Sequence, residues 1–252
     1  RVLFRSMSGW ILLGLPGYAY VAGLEAGWIT LGLTIGVAAN WLLVAKRLRI
    51  YSMILKDAVT IPAYLQRRFA DKTPWLKSIS ALSILVFFLF YVGSGLIAGG
   101  KLFNVVFGLD YHVAVFVGVF LILVYTLFGG FLAVSWTDVF QGLLMLMALI
   151  AVPLFVIQQS GGVADSIAQL EGVNPYLLDI WTNASGEPLS ALAIIGLLGW
   201  GLGYFGQPHI LARFKALRSA NDAGVAGAIG VVWAFLGYLM AILVGLCGLI
   251  YL

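Results

Sequence analysis

Two glycine-rich runs, one phenol and one carboxylate are the groups in this sequence whose types and spacing suit chemistry, and that chemistry is the holding of ions and small solutes. The stronger run is GWGLGYFGQPH at 199–209, with Gly196 just before it. Each glycine weakens a helix by about 0.8–1 kcal/mol relative to alanine, and Pro208 removes a backbone donor, so a helix passing through this run is expected to break. In hydrocarbon, freed backbone groups are tolerated only where they line a cavity or meet a ligand, as in the broken helices of transporters. Close helix packing through small residues is the competing reading of the same glycines. Trp200, Tyr204 and Pro208 recur every fourth residue, which on an α-helix places a large amphipathic surface beside the break, with Gln207 next to it.

The second run, MSGWILLGLPG at 7–17, offers the Ser8 hydroxyl and the open backbone of Gly9, although both residue types are common in membrane helices. Tyr91, close to Gly93, Ser94 and Gly95, puts a polar phenol deep in an apolar stretch, where it either faces a solute or bonds a neighbouring helix. Asp138 follows Ser-Trp-Thr and is followed three residues on by Gln141, the pattern of a helix N-cap. Its other reading is a waypoint for a cation, since a carboxylate at a membrane span is a functional candidate by default. His112 and His209 have no metal-ligand companions and are read as structural. The single cysteine, Cys247, excludes an intrachain disulfide, and no nucleophile–base pair or metal cluster stands at membrane depth, so an enzyme is not expected.

The elements that position these groups are membrane helices. Hydrophobic residues make up 62% of the 252 positions, charged residues 10%, and the mean hydropathy is +1.05, a balance foreign to soluble domains. Reading from charge to charge gives seven spans, about 7–24, 26–46, 78–100, 112–135, 139–160, 189–212 and 224–252. The linker 46–77 and the turn 213–222 hold most of the basic residues and are assigned to the cytoplasm, while 161–188 is acidic without a basic residue and faces outward. Only Lys101 departs from this alternation. The net charge of +4 is thus a topology signal and not a mark of nucleic-acid binding. The piece TIPAYLQRRF at 60–69 reads as an interfacial helix on the inner surface.

Residues 1–6, Arg-Val-Leu-Phe-Arg-Ser, match the translation of a common sequencing-adapter end, so the native sequence is expected to begin, truncated, at Met7, with 7–252 a single transmembrane transporter domain.

With GWGLGYFGQPHILARF at 199–214, YTLFGGFLAVSWTDVFQ at 125–141 and MSGWILLGLPG at 7–17, the chain resembles the sodium:solute symporter family from Met7 to its end. The resemblance implies an all-α polytopic membrane protein with a five-plus-five inverted-repeat fold, of which this chain is a fragment with about seven transmembrane helices. It implies sodium-coupled import of L-proline by alternating access in the inner membrane of a bacterium, with sodium the co-transported ion and the lipid bilayer the surroundings. By position it places Ser8, Gly9, Tyr91, Trp200, Tyr204, Gln207 and Pro208 at the substrate, and Met7, Ser8 and Asp138 at the sodium site or its pathway. The family carries an aspartate just before Met-Ser-Gly, where this chain has Ser6. A symporter for another small solute, and a symporter-like membrane module of a sensor, are the alternatives.

Overall fold

The computed structural model describes residues 9–55 and 58–251, so Met7 and Ser8, with the six residues ahead of them, lie outside the described residues. Helices dominate. A π turn at Trp10–Gly14 leads into α1 (Leu15–Ala22), and Gly23, at φ 66°, turns the chain into α2 (Ala26–Ala39). A second π turn, Asn40–Ala45, joins α2 to α3 (Lys46–Ile54). There follow α4 (Ile61–Arg68), α5 (Trp75–Phe107), α6 (Tyr111–Gln159), α7 (Val163–Val173), α8 (Ala191–Leu198), α9 (Pro208–Lys215) and α10 (Ala223–Tyr251). Among the described residues the one extended pairing is an isolated bridge between Thr182 and Pro188. The expected all-α architecture is therefore what the sequence forms.

Local chemistry sets the helix ends. Asp110 caps α6 by accepting from the His112 and Val113 amides, Ser190 caps α8 through the Ala193 amide, and Thr60 caps α4 ahead of Pro62. Gly108 ends α5 in the left-handed conformation at φ 64°, which costs glycine nothing.

Five helical stretches among the described residues are long and apolar enough to cross a bilayer: Trp10–Ile54, Trp75–Phe107, Tyr111–Gly130, Ala133–Gln159 and Ala220–Tyr251. The first holds two segments divided at Gly23, and Ala191–Gly206 is a shorter apolar helix. The division inside α6 falls at Gly130 (φ 53°, ψ −149°), so of the two readings of Asp138 the helix cap is not realised. A positive φ is open to glycine at little cost, so the chain bends there and Asp138 lies inside the second half of the helix.

The core is built by α1, α2 and α10, whose Leu15, Ala19, Ile29, Leu33, Tyr238, Ala241 and Leu246 are buried together. In α5, by contrast, Gly100 is the buried residue and large apolar side chains such as Phe87, Leu89 and Phe90 face outward, a surface suited to lipid.

From Ala26 to Ile54 the chain runs about 40 Å at 1.5 Å per residue, so its two ends lie at opposite faces of the molecule. At one face, Arg49 donates to the Lys215 carbonyl (2.7 Å) and Lys215 Nζ donates to the carbonyls of Ala58 and Val59. The two basic segments of the sequence thus meet. At the other, Trp28 Nε1 donates to the Ile180 carbonyl (2.7 Å), and Gly23 packs so closely on Leu177 that a Cβ would overlap its backbone. The acidic segment covers the Gly23 turn.

Candidate functional site

The helix that begins at Ser190 does not cross in one piece. It is α-helical over α8, tightens to a 3₁₀ helix over Gly199–Gly206, becomes extended at Gln207 (ψ 111°), and resumes as α9 with Pro208 in its first turn. Both readings of the glycine-rich run are realised, each by different glycines. Gly201 serves packing: with Gly32 and Gly36 of α2 it lets two backbones touch, and a Cβ on any of the three would overlap a backbone carbonyl opposite. Gly199 and Gly206 meet no neighbour that a Cβ would strike, so their contribution is to the loosened winding of the break itself.

The 3₁₀ winding also redistributes the side chains. At three residues per turn, positions four apart point about 120° from one another instead of sharing a face. The single surface of Trp200, Tyr204 and Pro208 expected from α-helical spacing is accordingly divided into three. Trp200, half exposed, stacks on Trp10 with ring centroids 5.0 Å apart and 27° between planes. Tyr204 turns inward, is 7% exposed, and shares a hydrogen bond between phenol groups with Tyr238 of α10. Gln207 and Pro208 enter a groove of about 490 Å³ whose opposite wall is α5, including Ser83, Phe87, Phe88 and Tyr91.

This groove is apolar with a few polar tips. Tyr91 stacks on His209 (5.4 Å, 22°), and Phe88 lies 5.7 Å from the same imidazole. Tyr91, Gln207 and Pro208 are therefore brought together, and Trp200 is joined to the first span by Trp10. Gly9 stands at the start of the described chain, at the N-cap of the π turn that carries Trp10, with Ala98 of α5 the neighbour that a Cβ on it would meet. The metal and substrate candidates Met7 and Ser8 fall outside the described residues.

Asp138 does not line the groove. Its carboxylate accepts from the Arg213 guanidinium of α9 at 2.5 Å, and both side chains are largely withdrawn from solvent. The pair ties α9, the part of the helix after the break, to α6. Among the described residues no three metal-ligating side chains gather.

Sequence reasoning passed over Trp10, Asn40, Arg213 and Tyr238. Asn40 carried a signal, being the one amide in the apolar stretch 26–45. Trp10 stood inside a quoted motif. Tyr238 and Arg213 acquire their meaning only from partners 34 and 75 residues away.

The sodium:solute symporter family model matches residues 3–252. The chain is similar to the high-affinity proline transporter PutP of Bacillus subtilis (strain 168), at 47% identity over 97% of this chain and 51% of the relative. It is 46% identical to the osmoregulated proline transporter OpuE of the same organism, over 97% of this chain and 49% of that protein. A sodium/proline symporter of Staphylococcus aureus is 44% identical over 97% of this chain and 47% of its own length. The chain thus spans about half the length of the curated relatives it matches. No solved structure matches it significantly.

Proposed function

Because this chain belongs to the sodium:solute symporter family, we propose that it forms part of a secondary transporter that imports L-proline with sodium by alternating access, in the plasma membrane of a bacterium. The observation that carries this reading is the interrupted helix Ala191–Lys215, whose break over Gly199–Gly206 meets Trp10 on one side and the Tyr91 groove on the other. The solute and the ion are those for which the relatives are named.

Proline has an ammonium, a carboxylate and a ring of three methylenes. The carbonyls at the end of the 3₁₀ stretch, where the chain turns extended at Gln207, suit a cation or the ammonium, and the N-terminal end of α9 suits the carboxylate. Trp200 and the wall of Tyr91, Gln207 and Pro208 give the ring an apolar seat. Three methylenes at about 0.8 kcal/mol each amount to roughly 2.4 kcal/mol, enough for preference and too little for accumulation. One charge crossing 100 mV supplies about 2.3 kcal/mol, and a sodium gradient adds to it.

In this reading Met7, Ser8 and Gly9 hold sodium and the adjacent solute. Asp138 serves the inner end of the cation path: while paired with Arg213 it keeps the inner half of the helix closed, and opening the pair frees a carboxylate for the departing ion. Sodium stabilises the outward-open state that receives proline, and movement of one bundle against the other exposes both inward.

The test is uptake of radiolabelled proline, with and without a sodium gradient, by cells carrying a full-length carrier that contains this sequence. Sodium-dependent uptake that collapses in Trp200→Ala supports the reading. A well-inserted carrier that moves no proline under either gradient overturns it.

A further inference from the structure

We propose that Asn40 is the positioning residue of the broken helix, supplying from α2 the hydrogen-bond donor that Pro208 withholds. In α winding the Tyr204 carbonyl would accept from residue 208, a proline without an N–H. In the 3₁₀ winding of Gly199–Gly206 its backbone partner by position is the Gln207 amide, and the chain turns extended at that residue. The Tyr204 carbonyl therefore stands at the end of the winding, poorly supplied by its own backbone, in an apolar interior where an under-satisfied carbonyl is costly.

Asn40 makes up the shortfall. It is 1% exposed, and its Nδ2 donates to the Tyr204 carbonyl at 2.9 Å across 164 positions of sequence. Its own helix is adjusted to reach there: Asn40 opens the π turn Asn40–Ala45, a local widening that re-aims side chains and recurs at functional sites. Gly32 and Gly36 bring α2 within backbone contact of Leu198 and Gly201, so the amide arrives at the end of a close-packed seam and not across a gap. Oδ1 of Asn40 has no hydrogen-bond partner, so the donor is the half of the amide the fold uses.

The bond fixes Tyr204, and through it the orientation of the 3₁₀ stretch that carries Trp200 and hands the chain on to Gln207 and Pro208. Asn40 does not line the groove. Its effect is on where the binding surfaces stand.

The inference rests on the transport reading for its kinetic arm alone. Asn40→Leu keeps the volume and loses the donor, Asn40→Gln keeps the donor, and Asn40→Ala repeats the loss should the leucine variant fail to insert. In a full-length carrier containing this sequence, Asn40→Leu is expected to raise KM for proline about tenfold while Vmax stays within about threefold, with Asn40→Gln recovering part of the affinity. Hydrogen exchange, which needs no solute, is expected to speed up at least tenfold over 199–206 in Asn40→Leu and to remain unchanged within α10. Exchange at 199–206 equal to the unmodified protein, or loosening spread evenly over all helices, overturns the proposal. A carrier that moves no proline in unmodified form would overturn the transport reading, and the exchange comparison would still decide the role of Asn40.

Discussion

Arg213 holds Asp138 at 2.5 Å, and the two come from helices that precede and follow the acidic segment 161–188 in the sequence. Arg213 lies six residues past the break at Gln207, so the ion pair anchors the half of the broken helix that must move if the site is to open inward. Removing one partner of a buried pair leaves the other charge uncompensated, at a cost of about 3–5 kcal/mol. Asp138→Asn and Arg213→Gln are each expected to lower sodium-driven uptake at least tenfold and to reduce thermal stability in detergent. The exchanged pair Asp138→Arg/Arg213→Asp should regain a measurable part of both. Full loss in the exchanged pair, with sodium dependence altered by Asp138→Asn alone, would mean that the carboxylate acts on the cation and not on Arg213.

The Trp10–Trp200 stack makes a second, separable prediction. Aromatic pairs of this geometry contribute about 0.5–1.5 kcal/mol beyond the area they bury. Trp10→Ala and Trp200→Ala should each weaken proline uptake, and the double variant should lose less than the sum, leaving a coupling of about 1 kcal/mol in kcat/KM. Strict additivity would show that the rings are neighbours without energetic consequence.

Glycines of the same run are expected to differ sharply. A Cβ on Gly36 or Gly201 would strike a backbone carbonyl that cannot move aside, and overpacking of this kind costs about 1–3 kcal/mol. Gly199 has open space around it. Gly36→Ala and Gly201→Ala should therefore lower Tm in detergent, while Gly199→Ala should leave it unchanged or raise it through better helix propensity. Equal effects at all three positions would contradict the division between packing and winding.

These contrasts mark what the sequence made legible. Apolar runs, basic turns and the glycine–proline interruption are local signals, and each reports on its own residues: the helices, the meeting of Lys215 with the 46–77 linker, and the break at 199–208 follow from them. Spacing at 3.6 residues per turn puts Trp200, Tyr204 and Pro208 on one face, and the structure divides them. The very glycines that announce the break tighten the winding to three. Of the two readings of Asp138, cap and cation waypoint, the cap rests on a local pattern, whereas its partner, Arg213, is 75 residues away. Gly130, with freedom for positive φ, took the bend instead.

Tyr204 and Tyr238 allow the role of the first phenol to be separated from its burial. Their hydroxyls bond to one another at positions 7% and 0% exposed, so neither group is free to reach solvent. Deleting one hydroxyl leaves the other buried without its partner, at a cost of about 1–3 kcal/mol, whereas deleting both can be nearly neutral. Tyr204→Phe and Tyr238→Phe should each lower Tm, and the double variant should be closer to the unmodified protein than either single one. If the Tyr204 phenol leaves Tyr238 to bond proline during the cycle, Tyr204→Phe and the double variant will share a raised KM that Tyr238→Phe lacks. If the bond is a fixture of the fold, KM will follow Tm across all three variants, and the double variant will transport best. Uptake kinetics and thermal unfolding measured on the same three preparations decide between a phenol that holds the solute and one that holds α10 to the broken helix.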